Sequence, residues 1–154
     1  MEITCPFFKN GEPIPEKYTC LGENINPPLD FIDVPKTAQS LVLIIEDIDA
    51  TPKPWTHWLI FNILPSEKGI QEGRIPKFAM EGLSNNHTFG YEGPCPKYFN
   101  GTHHYLFRLI ALNTRFYISG EVEREELEVF MDGHIIEEAV LMGTCTSKKL
   151  EMVS

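Results

Sequence analysis

Short apolar runs, separated by stretches rich in proline and glycine, dominate the hydrophobic pattern of the chain. The strongest runs are Ser40–Glu46, His57–Ile63 and His104–Leu112. A short run of apolar and β-branched residues without polar alternation is typical of a strand buried on both faces. The stretch Phe89–Gly101 contains several Pro and Gly residues, which are not tolerated inside a central strand, so it is predicted to be a loop.

Helical spacing is confined to the C-terminal third of the chain. The apolar positions that follow it are Leu127, Phe130 and Met131, and then Ile135, Ile136, Ala139 and Val140. The spacing predicts two short helices separated near Asp132-Gly133, with Leu127, Phe130 and Ile135 packed against the strands. Strands first and helices last favour a mainly β fold, a sandwich or barrel decorated with short helices.

Length and charge limit the class of protein. The 154 residues contain no linker, which predicts one domain over residues 1–154. A net charge of −9 argues against nucleic acid or an anionic membrane as a partner. No apolar run is long enough to span a membrane and the first residues do not resemble a signal peptide, so we expect a cytoplasmic protein without integral membrane association.

The charge is also uneven along the chain. Between Glu121 and Glu138 there are eight acidic residues and one base, Arg124. We interpret this segment as a solvated acidic helix face, and an acidic docking surface is the alternative.

The cysteines are Cys5, Cys20, Cys95 and Cys145. None of them forms a C-x-x-C pair, so neither a zinc knuckle nor a redox motif is indicated. We interpret them as reduced and mostly buried thiols. A Cys5–Cys20 bridge would require an oxidising compartment or a hyperthermophile.

Polar side chains collect where the predicted strands meet loops, which is where binding sites usually lie on a β scaffold. These residues are Asp47 and Asp49 after the first strand, His57 at the start of the second, and His103, His104 and Tyr105 at the start of the third. No phosphate loop, dinucleotide fingerprint or G-x-S-x-G elbow occurs. One alternative is a metal-dependent hydrolase, in which the three histidines and an aspartate supply a two-His-one-carboxylate site.

Two motifs resemble the signatures of the phosphatidylethanolamine-binding protein family. Asp47-Ile48-Asp49-Ala50, followed by His57-Trp58 and Asn62-Ile63, resembles the first signature, and Gly93-Pro94-Cys95-Pro96, followed by Gly101-Thr102-His103-His104-Tyr105, resembles the second. The segments Tyr18–Asn24 and Met131–His134 are similar to further family patterns, so the resemblance covers nearly the whole chain. The compact length is like that of the bacterial and archaeal members, the Raf-kinase-inhibitor-like proteins.

Three positions depart from the family pattern. Thr51 stands where the family has proline, which moves the proline to position 52. His104 replaces an arginine, which removes a fixed positive charge. Lys97 replaces a second proline and is expected to loosen its loop.

The resemblance implies a large antiparallel sheet packed on a smaller one, with short C-terminal helices. It also implies a pocket for phosphate-bearing small molecules or a phospholipid headgroup, formed by Asp47, Asp49, His57, Gly93, Pro94, His103 and Tyr105. Imidazole N–H, phenol O–H and backbone N–H groups donate to oxyanions, and Asp47 is expected to orient an imidazole and favour its charged form.

The resemblance further implies what the protein does and does not need. It implies a binding protein rather than an enzyme, with no cofactor and a homodimeric assembly. Inhibition of a protein kinase or of a serine protease is the implied downstream function, and the sequence does not choose between them.

Overall fold

A computed structural model describes residues 1–147, which form two antiparallel sheets. The strands are β1 (Glu2–Thr4), β2 (Leu29–Ile32), β3 (Ser40–Asp47), β4 (Trp55–Ile63), β5 (Gly69–Ile70), β6 (Met80–Glu81), β7 (Thr102–Leu112) and β8 (Ile135–Thr146). A 3₁₀ helix covers Glu16–Tyr18, and the helix α1 covers Arg124–Met131. The smaller sheet has the order β1-β2-β5 and the larger has the order β6-β4-β3-β7-β8.

The strand β3 lies at the centre of the larger sheet, and all of its residues are buried. On one face, Leu43 shares a cluster of buried side chains with Phe31 of the smaller sheet. On the other face, Ile44 packs in a second cluster with Leu127 and Met131 of α1. The burial of both faces explains why this strand is apolar from Leu41 to Ile45. The three strands predicted from apolar runs are confirmed, each extended by one or two residues.

The prediction of a second C-terminal helix is wrong. The segment after Gly133 is β8, which pairs with β7 from Thr102 to Leu112. Its burial alternates along Ala139, Val140 and Leu141, which is the period of a strand and not that of a helix. An unpaired edge of β7 offered a full ladder of backbone hydrogen bonds, and this long-range pairing outweighs the local spacing of apolar residues.

Of the residues in the C-terminal third that were predicted to pack on the strands, one is buried and two are exposed. Leu127 is buried, whereas Phe130 is 41% exposed and Ile135 is 51% exposed, so the burial expected for the last two is wrong. Phe130 keeps one contact with Phe116, whose ring centroid lies 5.8 Å away. Within residues 1–147, no helix is both long and apolar enough to cross a membrane.

The acidic segment divides between two elements. The glutamates of α1 are solvent-exposed, in agreement with a solvated helix face. Glu137 and Glu138 instead belong to β8, where they form ion pairs with the N-terminal ammonium group and with Arg108.

The interpretation of all cysteines as reduced thiols is corrected by a disulfide between Cys20 and Cys95. Cys5 and Cys145 are free and buried, so a Cys5–Cys20 bridge does not form. The bridge joins residues separated by 75 positions. Only the folded chain brings the loop after β6 against the 3₁₀ helix, and so sequence spacing offered no indication of this pairing.

Candidate functional site

The strand ends that carry the predicted polar residues surround one open cavity of about 890 Å³. Antiparallel pairing places the end of β3 beside the starts of β4 and β7, because Asp47 pairs with Trp55 on one side and with Tyr105 on the other. The cavity wall includes six of the residues expected from the sequence: Asp47, Asp49, His57, Gly93, His103 and Tyr105. Pro94 follows Gly93 but is not part of the lining, and its carbonyl accepts the backbone N–H of Cys20.

Asp47 organises one side of the cavity. Its Oδ2 atom accepts a hydrogen bond from Nδ1 of His103 at 2.6 Å, and its Oδ1 atom accepts the backbone N–H of Asp49 at 2.9 Å. Burial and, to a smaller extent, Asp47 raise the pKa of Tyr105 far above its ordinary value, so the phenol stays protonated. The buried carboxylate of Asp47 is therefore occupied by protein donors, and it fixes the orientation of the His103 ring.

His57 of β4 lies beside Tyr105 in the same cavity. Its Nδ1 atom donates to the carbonyl oxygen of Glu92 at 2.6 Å, and its ring packs edge-on against Tyr105 with centroids 5.3 Å apart. Burial lowers the pKa of His57 and outweighs the opposing effects of the Glu92 carbonyl and Asp47. The ring is therefore mainly neutral at neutral pH.

His104, the second histidine of β7, lies apart from His57 and His103. Nδ1 and the backbone N–H of His104 both donate to Oδ2 of Asp49, each at 2.7 Å. Burial raises the pKa of Asp49, but the hydrogen bonds from His104 have the opposite effect, and the net pKa is lowered. His104 is not part of the cavity lining, because successive residues of β7 point to opposite faces of the sheet.

Gly93 is held by a residue that the sequence-based site did not include. Its backbone N–H donates to Oδ1 of Asn24 at 2.8 Å, so this N–H is already engaged within the protein. A Cβ atom at position 93 would overlap the carbonyl oxygen of Tyr18, which explains the glycine. Asn24 also lines the cavity. Its place in the Tyr18–Asn24 pattern was the only signal for it in the sequence.

The rim of the cavity combines aromatic rings with constrained backbone. The ring of Phe99 stacks on His103 with centroids 3.8 Å apart, and Trp55 and Tyr98 also belong to the lining. The Thr51–Pro52 peptide bond is cis, so a cis-proline is present although the proline is displaced by one position from the family pattern. Sequence reasoning missed the aromatic residues, because nothing in their spacing distinguishes a rim residue from a loop residue.

A metal site has no support from the arrangement of side chains. In the part of the chain that the structure describes, residues 1–147, no group of three or more His, Cys, Asp or Glu side chains is arranged to hold a metal ion. The predicted set separates into two pairs, His103 with Asp47 and His104 with Asp49.

Comparisons with known proteins agree on one family. Residues 4–146 match the family model described as phosphatidylethanolamine-binding protein. A UPF0098 protein of Methanothermobacter thermautotrophicus is 43% identical over 148 residues, which cover 93% of this chain and 97% of that protein. A UPF0098 protein of Chlamydia pneumoniae is 44% identical over 150 residues, which cover 94% of this chain and 97% of that one.

Solved structures show the same similarity. The crystal structure of the phosphatidylethanolamine-binding protein homolog CT736 from Chlamydia trachomatis superposes with a TM-score of 0.90 at 41% identity and covers 96% of this chain and 97% of that chain. The crystal structure of E. coli YbcL, described as a new member of the mammalian PEBP family, superposes with a TM-score of 0.88 and covers 96% of this chain and 98% of that chain. At 24% identity, YbcL supports the fold alone.

Proposed function

Because the chain belongs to the phosphatidylethanolamine-binding protein family, we propose that it is a small binding protein whose cavity holds phosphate or another phosphoryl-headed anionic ligand. The observation that carries this proposal is a pair of imidazoles in one cavity, His57 and His103, each held through Nδ1. Fixing both rings in advance reduces the conformational entropy lost when a ligand binds.

Each carboxylate in the cavity wall already accepts hydrogen bonds from other groups of the protein. Asp47 accepts bonds from His103 and Asp49, Asp49 accepts bonds from His104, and Glu92 accepts a bond from Asn86 at 2.6 Å. With a net charge of −9, the protein does not attract an anion over long range. Recognition therefore depends on local hydrogen bonds, and protonated imidazoles are strong donors to an oxyanion.

The experiment is calorimetric titration with phosphoethanolamine at several pH values. His57→Ala and His103→Ala should each weaken binding by about 1.5–3 kcal/mol, the range for hydrogen bonds to charged groups. His104→Ala is the matched control, because His104 bonds to Asp49 but is not itself part of the cavity lining. Unchanged binding in both the His57 and His103 variants would show that the ligand lies elsewhere.

A metal-dependent hydrolase is the alternative from another class, and a stoichiometric transition metal in the purified protein would favour it. Within residues 1–147, no three His, Cys, Asp or Glu side chains are arranged to hold a metal ion, which argues against the two-His-one-carboxylate site. We therefore propose binding without catalysis.

Downstream function, assembly and location stay predictions from the family resemblance and the sequence. Inhibition of a protein kinase or a serine protease is tested by direct inhibition assays, and a homodimer by light scattering. The predicted cytoplasmic location is tested together with the Cys20–Cys95 bridge, since disulfides persist in oxidising compartments or in intracellular proteins of hyperthermophiles. Counting free thiols in protein from its own source distinguishes a reduced from an oxidised pair.

A further inference from the structure

The hydrogen bonds that fix the two imidazoles leave an acceptor on each ring for the ligand. Nδ1 of His57 lies 2.6 Å from the carbonyl oxygen of Glu92, which can only accept a hydrogen bond. Nδ1 of His103 lies 2.6 Å from a carboxylate oxygen of Asp47, which is also an acceptor. In each neutral ring the proton is therefore on Nδ1, and Nε2 carries a lone pair.

These Nε2 atoms are the unused positions of the pair. Within residues 1–147, neither has a hydrogen-bond partner, whereas both Nδ1 atoms are occupied. Another group expected to donate to a ligand is also occupied, since the Gly93 N–H bonds to Asn24. When the rings are neutral, each Nε2 atom is therefore an acceptor in the wall of the cavity.

Titratable groups on several elements of the fold surround the two imidazole rings. The groups around His57 are Asp47 of β3, Glu92 of the loop between β6 and β7, and Tyr105 of β7. The groups around His103 are Asp47, Asp49 and Cys145, the residue of β8 that pairs with it. Burial lowers the pKa of His57, so it is mainly uncharged near neutral pH. Burial, with a smaller effect of Asp47, raises the pKa of Cys145 to about 11, so this thiol stays neutral.

We propose that the cavity selects oxyanions that bring an ionisable proton, such as phosphate monoesters, over permanently ionised oxyanions, such as sulfate monoesters. This inference rests on the proposed function as an anion-binding protein. A phosphate monoester has a second pKa of about 6, so close to neutral pH it still supplies a P–OH group that donates to Nε2. A sulfate monoester has no such proton, so it accepts a hydrogen bond from Nε2 only after the imidazole has been protonated.

The test compares methyl phosphate with methyl sulfate, which are similar in size and tetrahedral shape. Calorimetric titrations at about pH 7, in two buffers of different ionisation enthalpy, measure affinity and the number of protons taken up. We expect methyl phosphate to bind at least about tenfold more tightly, since one charge-assisted hydrogen bond contributes that much or more. We also expect proton uptake that increases above the pKa of the ester.

Each outcome has a distinct meaning. Equal affinities without proton uptake would overturn the inference and leave the anion site intact. Binding of neither ligand would overturn the proposed function and the inference with it.

Two variants locate the effect on one ring. His57→Gln replaces a titrating group with an amide that donates without taking up a proton, so the ratio of phosphate to sulfate affinity should fall toward one. His104→Gln makes the same chemical change outside the cavity lining and should leave the ratio unchanged. An unchanged ratio in His57→Gln would overturn the assignment to His57, and the comparison in the wild-type protein does not depend on either variant folding.

Discussion

In the neutral form of His103, replacing Asp47 by Asn should move the ring proton from Nδ1 to Nε2. In the wild-type protein, Oδ2 of Asp47 accepts the Nδ1 proton at 2.6 Å and Oδ1 accepts the backbone N–H of Asp49 at 2.9 Å. An Asn side chain has one acceptor and one donor group. With its oxygen kept on the Asp49 N–H, its NH₂ group faces His103, and this pairing is favourable only when Nδ1 is the acceptor.

The consequence for binding can be worked out from this shift. The Nε2–H of His103 would then donate to an anion without proton uptake. A hydrogen bond to a charged group contributes about 1.5–3 kcal/mol, so methyl sulfate should bind about 10- to 150-fold more tightly to Asp47→Asn than to the wild-type protein. The affinity for methyl phosphate should change less, because it already binds through its own proton.

The assay has a direct and an indirect readout. Long-range ¹H–¹⁵N correlation spectra of the imidazoles report which nitrogen carries the proton, and calorimetry reports the affinities. Asp49→Asn is the matched control, because it removes a carboxylate from the same cavity wall without removing the Asp47 acceptor of His103. A wild-type His103 protonated on Nε2, or an Asp47→Asn variant that keeps its proton on Nδ1, would refute the reasoning.

Three further predictions concern stability. Leu127→Ala should lower the free energy of unfolding by about 2–5 kcal/mol, because this side chain is fully buried. Phe130→Ala on the same helix should lower it by less than half as much, because Phe130 is 41% exposed. Equal losses in urea unfolding would contradict this burial pattern. Because the pKa of His57 is lowered in the folded protein, the unfolded chain binds the proton of this ring at a higher pH than the folded chain does. The contribution of the neutral ring to the free energy of unfolding is therefore complete above about pH 6.5 and is lost as the pH falls further. A His57→Gln variant should lose less stability over this range, and a pH profile identical to that of the wild-type protein would argue against a buried neutral ring. The oxidised chain should melt as one cooperative unit in calorimetry, and two resolved transitions would contradict a single domain. Reduction of the Cys20–Cys95 bridge should lower the free energy of unfolding by about 2–4 kcal/mol, and an unchanged stability after reduction would contradict the bridge.

The central strands were predictable from the sequence because their burial is recorded in local composition. Every residue of β3 is buried, and the stretch from Leu41 to Ile45 in its middle is apolar without interruption. The polar ends of β3, β4 and β7 were also visible, and the order and spacing of the motifs were enough to indicate the family. Antiparallel pairing then brings those ends together, and that pairing is a property of the sheet.

Features that depend on distant partners could not be predicted in the same way. The segment from Ile135 onward has helical spacing but forms β8, because the free edge of β7 supplies its hydrogen bonds. The partner of Cys20 is decided by the loop that the fold places beside it.

The chemistry of the site divides along the same line. The sequence determined that two histidines, two aspartates and a tyrosine occur at strand ends, and the motifs assigned them to one pocket. Only the tertiary structure decided which nitrogen of each ring is occupied, since that depends on the Glu92 carbonyl and on Asp47 reaching Nδ1 across the fold. Hydrogen-bond direction and desolvation are three-dimensional properties, so residue types alone could not tell which ring atoms the folded protein leaves free for a ligand.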